Sequence, residues 1–129
     1  MESAFDAFFS ENTLNWGYPL PISGTTIIDL AEGKSSISVN DTRARGTGTT
    51  KGKKLTTVVS VTNSTRNTSN GVINTGPKKI AIGKLTATSN SEVSTSRGYV
   101  NYQTLSIHTA THQGVLYEAQ TGNERTHRK

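Results

Sequence analysis

The stretch Leu-Thr-Thr-Val-Val-Ser-Val-Thr at residues 55–62 decides the fold class that the sequence predicts. In an extended chain every second residue shares a side, so Val59 and Val61 fall on one side and Ser60 and Thr62 on the other. Such alternation is typical of a half-buried strand with one mostly polar face. We therefore interpret residues 55–62 as one strand of an antiparallel sheet.

Four further segments show strand patterns. In chain order they are residues 25–30, 35–39, 78–88 and 97–109. In the last two segments the apolar residues stay on one side of the strand only if bulges lie near Gly83 and near Gln103. Residues 32–34 predict a turn, and residues 40–54 and 63–77 predict loops, because Gly, Thr, Asn and Lys dominate there. The sequence thus predicts a mainly β (α+β) fold, an antiparallel sheet of about five or six strands with one apolar face and one polar, basic face.

Short helices are predicted at both ends of this sheet. Residues 2–10 favour a helix, because Ser3 can cap it and Phe5, Phe8 and Phe9 then share one face. This helix either packs on its own core or acts as an arm that docks on a neighbouring subunit. The predicted organisation is a single domain, residues 1–129, with an arm at 1–20, a sheet at 25–110, and a weak helix and basic tail at 111–129.

The composition predicts a poor core for a lone monomer. Ser, Thr and Asn supply 45 of the 129 residues, whereas Leu, Ile, Val and Phe supply 26. That apolar share lies at the border below which highly charged chains are usually disordered. Either the chain is partly disordered, or it completes its burial against another copy of itself.

Charge divides the chain into two parts. Residues 1–42 carry a net −5 and residues 43–129 a net +10, within a total of +5. Between Thr42 and Ser91 there are nine Lys or Arg and no acid. Such a stretch indicates either a polyanion partner or a solvated basic surface, since clustered Lys and Arg side chains bind phosphates.

Several functional classes find no support in the residues. Cysteine is absent, which excludes disulfides and thiolate chemistry. His108 and His112 have no third metal ligand in view, and no two acids stand at close spacing. We therefore predict that the protein is not an enzyme and binds neither a metal nor a cofactor. No apolar run is long enough to cross a membrane, and the start lacks a secretory signal.

Residues 97–107, Arg-Gly-Tyr-Val-Asn-Tyr-Gln-Thr-Leu-Ser-Ile, resemble the last strand of the coat proteins of single-stranded RNA bacteriophages (leviviruses). There an Arg-x-Tyr-apolar-Asn segment leads into an alternating apolar stretch. Residues 60–64 and 78–82 are similar to two preceding strands, in the same order, so the resemblance covers roughly residues 55–110. It implies an antiparallel sheet that pairs with a second subunit, helices on one side of the dimer, and RNA on the other.

The resemblance also implies roles for individual residues. Tyr99 takes the position of a tyrosine that stacks on an RNA base, and Asn101 that of an RNA-contacting asparagine. The remaining RNA-facing positions fall on Ser60, Thr62, Ser64, Lys79 and, if Gly83 is bulged, Lys84. Val58 and Ala81 replace threonines that often line a base pocket in the family, which favours general RNA attraction over recognition of one hairpin.

We therefore expect a viral structural protein rather than an enzyme. The subunit would form a homodimer through its sheet edge, assemble into an icosahedral shell, package single-stranded RNA, and reside in a virion assembled in the host cytoplasm. Translational repression through an RNA hairpin, known in the family, stays open. The alternative is a β-sandwich phage decoration or tail protein, or an extracellular binding module, that does not bind RNA.

Overall fold

The structure, a computed structural model, describes residues 25–27 and 30–129, and the regular elements in these ranges are all strands. In chain order the strands are β1 (Thr25–Ile27), β2 (Ala31–Val39), β3 (Arg43–Gly52), β4 (Val58–Asn67), β5 (Ile73–Thr75), β6 (Lys79–Ile82), β7 (Thr86–Ser94), β8 (Tyr99–His112) and β9 (Val115–Arg128). The prediction of a mainly β, antiparallel fold is confirmed. The predicted helix at residues 2–10 lies outside the described residues.

The strands form two antiparallel sheets that pack face to face. Sheet A has the order β1-β2-β3-β7, and sheet B has the order β5-β4-β8-β9, with β6 also paired to β4. Between the sheets, β4 lies against β3 and β7, and β2 lies against β9. We predicted a single sheet with terminal helices; instead, sheet A covers the inner face of sheet B. Dimerisation stays a prediction.

Glycines bring the two sheets unusually close together. Gly46 and Gly48 of β3 point towards sheet B, and a Cβ atom added at Gly46 would collide with the hydroxyl groups of Thr65 and Thr104. At Gly48 the same addition would collide with the Ser106 hydroxyl. A residue without a Cβ lets the backbone of one element approach another closely. The tight centre of the sandwich therefore depends on glycine in sheet A facing small polar side chains in sheet B.

A hydrogen-bond network fills this centre. The fully buried Asn63 donates from Nδ2 to Thr104 Oγ1 and Ser106 Oγ, each at 2.9 Å, and accepts from Ser91 Oγ at 2.5 Å. Ser35 Oγ donates to Ser106 Oγ at 2.6 Å. Burying a polar group without a partner costs about 1–3 kcal/mol, so these side chains are tolerable only because they satisfy one another. Asn63 also lies in an Asn-x-Ser/Thr glycosylation motif, and its burial excludes it as an acceptor in the folded protein.

Apolar side chains occupy the two ends of the sandwich. One buried cluster contains Leu30, Ala31, Val59, Val61, Ala81, Ala87 and Ala110. The other contains Ala44, Val93, Val100 and Tyr102, with Ile37 and Val39 packed against it. The few apolar residues are thus placed at both ends, and the polar network joins them.

The predicted loop at residues 40–54 is wrong, because β3 occupies most of it. This strand does alternate, with Ala44, Gly46, Gly48 and Thr50 buried and the intervening residues turned outwards. Glycine and threonine stand where the pattern normally has large apolar residues, so hydrophobic periodicity does not detect the strand. The turn predicted at residues 32–34 is also wrong, since β2 runs through it without interruption.

Neither predicted bulge is present. Gly83 lies in the turn between β6 and β7 with a φ of 74°. That turn divides the predicted strand at residues 78–88 into two. Around Gln103, β8 pairs residue for residue with both β4 and β9. Leu105 is therefore on the opposite face of sheet B from Tyr102, and both are buried.

The helix predicted at residues 111–121 is wrong. β8 continues to His112, and Gln113 and Gly114 form a two-residue turn in which both φ values are positive, 51° and 77°. Two such residues match the right-handed twist of a hairpin. The predicted helix and basic tail are therefore one long strand, β9, which pairs with β8 over its whole length.

We predict that Gly46→Ala destabilises the protein by about 1–3 kcal/mol, the usual penalty for overpacking a core. The added methyl group would force apart the hydroxyls of Thr65 and Thr104. Thr49→Ala, on the outward side of the same strand, is the matched control and should change stability by less than about 0.5 kcal/mol. Urea unfolding measures both, and equal stabilities would contradict the close-packing account.

Candidate nucleic-acid interface

Five of the seven residues predicted to face RNA lie on one face of sheet B. In β4, Val61, Asn63 and Thr65 point towards sheet A and are fully buried, so the alternate residues point away from it. We call that side the outer face of sheet B. By the same alternation and the strand register, this face carries Ser60, Thr62 and Ser64 from β4 and Tyr99 and Asn101 from β8.

The five residues do not form one compact site. Ser60 pairs with Thr109 and Ser64 with Leu105, whereas Tyr99 stands at the start of β8. Ten residues of strand separate Tyr99 from Thr109, which is roughly 33 Å. Ser60 is only 5% exposed and shares a short hydrogen bond with the Thr109 hydroxyl, so it is not free to bind a ligand.

The two predicted lysines lie apart from this face. Lys79 of β6 pairs with Val61 of β4, which points towards sheet A. Lys79 is therefore on the same side of sheet B as Val61, and it is exposed at the edge of the sheet. Lys84 is exposed in the turn that follows Gly83, at the end of the sandwich opposite Tyr99. Lys79 is therefore not on the outer face with Tyr99, because it pairs with Val61, which points towards sheet A. Lys84 is not there either, because Gly83 turns the chain instead of bulging a strand. Contact of either lysine with RNA stays a prediction.

Tyr99 stands in a cationic setting of its own. Its side chain is 76% exposed, and the residue pairs directly with Arg128 of β9, so the two side chains leave the sheet on the same face. Directly opposite residues in antiparallel strands have Cβ atoms about 4.5–5.5 Å apart. Two backbone hydrogen bonds between Gly98 and Lys129, at 3.1 and 3.3 Å, hold the chain terminus beside this pair.

Arg97 adds a further exposed base next to Gly98. We call Arg97, Tyr99, Arg128 and Lys129 the Tyr99 platform. An exposed aromatic ring among cations is the arrangement that holds single-stranded nucleic acid. The nucleobases stack on the ring, and the cationic side chains attract the phosphates. The sequence prediction missed Arg128 and Lys129, because only the β8–β9 register brings these two residues back to Tyr99.

Asn101 borders the platform but is already engaged. Its Nδ2 atom donates to Glu124 at 3.4 Å, and its Oδ1 atom accepts from the Thr126 hydroxyl at 3.4 Å. Both contacts are long and lie at the surface, so a ligand can replace them at small cost. Its backbone oxygen accepts from Thr68 Oγ1 at 2.7 Å, which fixes the strand beneath it.

A second basic region lies at the opposite end of the sandwich. The Gly52 N–H donates to the Leu85 oxygen at 3.3 Å and the Gly83 N–H to the Thr57 oxygen at 2.7 Å, which brings two connections together. The exposed cations here are Lys51 near the end of β3, Lys53 and Lys54 in the connection that follows it, and Lys84 in the turn between β6 and β7. Within residues 30–129 no carboxylate forms an ion pair with these lysines, whereas Lys34 pairs with Glu32 and Arg43 pairs with Glu92.

Comparison with protein-family models, curated proteins and solved structures found no match. Among the described residues, no group of three His, Asp or Glu side chains could hold a metal. Nor does any helix there have the length and apolar character needed to cross a bilayer.

His108 and His112 do not form a metal pair, because they are embedded differently. His108 is buried in the sandwich, and its ring bonds Thr50 Oγ1 through Nδ1 and Thr121 Oγ1 through Nε2, both at 2.7 Å. The Thr50 hydroxyl donates to the Ser60 oxygen, so Nδ1 of His108 is the donor to that hydroxyl. Burial lowers the pKa of His108 from 6.5 to about 4.

This burial predicts an acid-sensitive fold. Between pH 6.5 and about 4 the unfolded chain binds a proton at His108 that the folded chain does not, so stability falls as the pH is lowered through that window. The shift corresponds to a loss of about 3 kcal/mol, which urea unfolding across the window would measure. His108→Gln should flatten the dependence, whereas His112→Gln should preserve it; an unchanged slope in His108→Gln would refute this assignment.

Proposed function

We propose that this protein is a viral structural protein, a coat subunit that associates with copies of itself and packages single-stranded RNA. The observation that carries the proposal is the Tyr99 platform, in which an exposed tyrosine stands directly opposite Arg128. Two further cations, Arg97 and Lys129, lie one or two residues away along the chain from this pair. Stacking on such a ring contributes about 1–3 kcal/mol per base and tolerates any base, which suits a protein that packages a genome. Its proposed location is the virion, assembled in the host cytoplasm.

The two basic ends support attraction along an RNA strand rather than recognition at one pocket. The Tyr99 platform and the lysines of residues 51–54 lie at opposite ends of a sandwich whose strands are up to 14 residues long. Charges spread over that distance contact several phosphates at once, and release of the counterions drives binding. This distribution favours general packaging over binding of one translational operator.

The edge of sheet B supports self-association. β9 is 14 residues long and pairs only with β8 among the described strands, so its other edge offers unpaired backbone groups. Long edges of this kind pair readily with another chain. Leu116, 62% exposed at the start of β9, adds apolar surface. We propose a homodimer formed through the β9 edges as the unit from which the shell is built.

One observation favours the second candidate, a β-sandwich decoration, tail or binding module without RNA. The described chain is a two-sheet sandwich, whereas the levivirus resemblance implied one sheet with helices on one side. Such a module would bind a preformed particle or another partner and would ignore RNA. The two candidates differ in the salt dependence of RNA binding, which only the coat subunit should show.

Tyr99→Ala should weaken binding of a single-stranded RNA by about 5- to 150-fold, the equivalent of one lost stacking contact of about 1–3 kcal/mol. Tyr99→Phe keeps the ring and should bind within about twofold of the original. Tyr117→Ala, which removes another exposed tyrosine of sheet B, is the matched control. Fluorescence anisotropy measures all three, and equal affinities for Tyr99→Ala and Tyr117→Ala would reject the platform.

Replacing Lys79, at the edge of sheet B, and Lys84, in the second basic region, together by Ala tests the two lysines that the sequence predicted to contact RNA. Loss of two phosphate contacts to a single strand should reduce the slope of log K against log salt by about 1.4, with the oligomeric state unchanged. The double variant Lys34→Ala and Arg43→Ala removes the same charge from bases already paired with acids. If the control variant flattens the slope equally, the net charge of the protein controls RNA binding and the positions of Lys79 and Lys84 do not.

A further inference from the structure

Exposed aliphatic side chains gather at one end of the sandwich, where β3, β6 and β8 end and β4, β7 and β9 begin. Ile82 of β6 pairs with Val58 of β4. Val58 also pairs with Thr111 of β8, whose other partner is Leu116 of β9. Ile82 and Leu116 are 64% and 62% exposed. The last row of the outer face of sheet B is therefore largely apolar and open to solvent.

Two connections carry leucines beyond this row. Leu55 lies between β3 and β4, and Leu85 lies in the turn between β6 and β7. They are 76% and 68% exposed. The connections touch, because a Cβ atom added at Gly83 would lie 3.3 Å from the Leu55 oxygen. We call this place the leucine tip and define it by Leu55, Leu85 and their exposed lysine neighbours in the chain, Lys53, Lys54 and Lys84.

The leucine tip combines apolar surface with positive charge. Lys54 directly precedes Leu55, and Lys84 directly precedes Leu85. Within residues 30–129 no carboxylate pairs with these lysines, whereas the nearby Glu32 is engaged by Lys34 at 3.1 Å. Grouped apolar side chains on a surface mark a site of interaction. A suitable partner therefore accepts aliphatic side chains and carries negative charge.

The chemistry of the tip selects among partners of that kind. Single-stranded RNA meets only the charge requirement, because its bases stack on aromatic rings and both large side chains of the tip are leucines. Protein interfaces are enriched in aromatic residues and Arg and depleted in Lys, whereas every cation of the tip is a lysine. An anionic bilayer accepts both features, since its surface attracts clustered lysines and its acyl boundary accepts aliphatic side chains.

We propose that the leucine tip binds the surface of an anionic lipid bilayer. Leu55 and Leu85 enter the boundary between headgroups and acyl chains, and the three lysines extend along them to contact lipid phosphates. The contact is peripheral and involves no crossing of the membrane. Tyr99 begins β8 at the other end of the sandwich, roughly 45 Å away along the 14-residue strand, so it stays in water.

This proposal is independent of RNA packaging. The lysines of this end also support RNA attraction, because RNA and lipid headgroups both supply phosphate. The leucines separate the two uses, since only the bilayer gives them an apolar environment. The experiments below therefore change leucines and lysine partners separately.

Vesicle sedimentation tests the proposal with the full-length protein after nuclease treatment. One set of vesicles contains phosphatidylcholine alone, and the other an equimolar mixture of phosphatidylcholine and phosphatidylserine. We expect binding to the mixed vesicles to be tighter by at least about tenfold and to weaken as salt rises, because each lysine near an anionic surface contributes about fivefold. No binding to the mixed vesicles, or equal binding to both sets, would overturn the proposal.

Leu55→Ser together with Leu85→Ser should weaken binding to the mixed vesicles by at least about tenfold, because the apolar burial is lost. Both side chains are exposed, so unfolding in urea should not change, and RNA affinity should stay within about twofold. Val72→Ser together with Ile73→Ser, which removes exposed aliphatic side chains elsewhere on the sandwich, is the matched control and should bind vesicles normally. A leucine variant that binds as tightly as the original would reject the proposal.

A fluorescent label reports insertion directly, because the protein has no cysteine of its own. Leu55→Cys and Val72→Cys are each labelled with a dye whose emission depends on polarity. Mixed vesicles should shift the emission to the blue at position 55 and leave it unchanged at position 72. If RNA shifts the emission at position 55 and vesicles do not, the tip is an RNA contact and the bilayer proposal is wrong.

Discussion

The close approach of β3 to sheet B is the constraint on which the rest of the structure depends. Gly46 and Gly48 allow it, and the side chains that then meet them are Asn63, Thr65, Thr104 and Ser106. At this separation there is no space for large apolar residues, so the centre is held by hydrogen bonds that must all be satisfied. Such a core stabilises a chain in which Leu, Ile, Val and Phe number only 26 of 129 residues.

This packing also determines which side chains face outwards. Because Asn63 and Thr104 are fixed between the sheets, Ser64, Gln103 and Leu105 must point to the other side of sheet B. The β8–β9 register then brings Arg128 beside Tyr99. The proposed RNA platform is thus a consequence of strand register.

The sequence predicted the strands in which apolar and polar residues alternate. It missed strands whose buried positions are occupied by glycine or threonine in place of large apolar residues. Val59 and Val61 identify β4, but Gly46 and Gly48 conceal β3, because glycine in such a stretch is typical of a loop. Val115, Leu116 and Ala119 fit a helix as well as a strand, and the turn at Gln113 and Gly114 decides between them. Tyr99 was found through a resemblance, whereas Arg128 and Lys129 come beside it through long-range pairing that local patterns do not contain.

The most direct test of RNA packaging by a coat subunit is to express the full-length chain alone. The product is then examined by negative-stain microscopy and by the ratio of absorbance at the nucleic-acid and protein maxima. A coat subunit with two basic ends and an open β9 edge should yield uniform shells that contain host RNA. Shells that resist nuclease, and release RNA only on disassembly, would agree with packaging. A nucleic-acid-free monomer at all protein concentrations would contradict the account and favour the binding module.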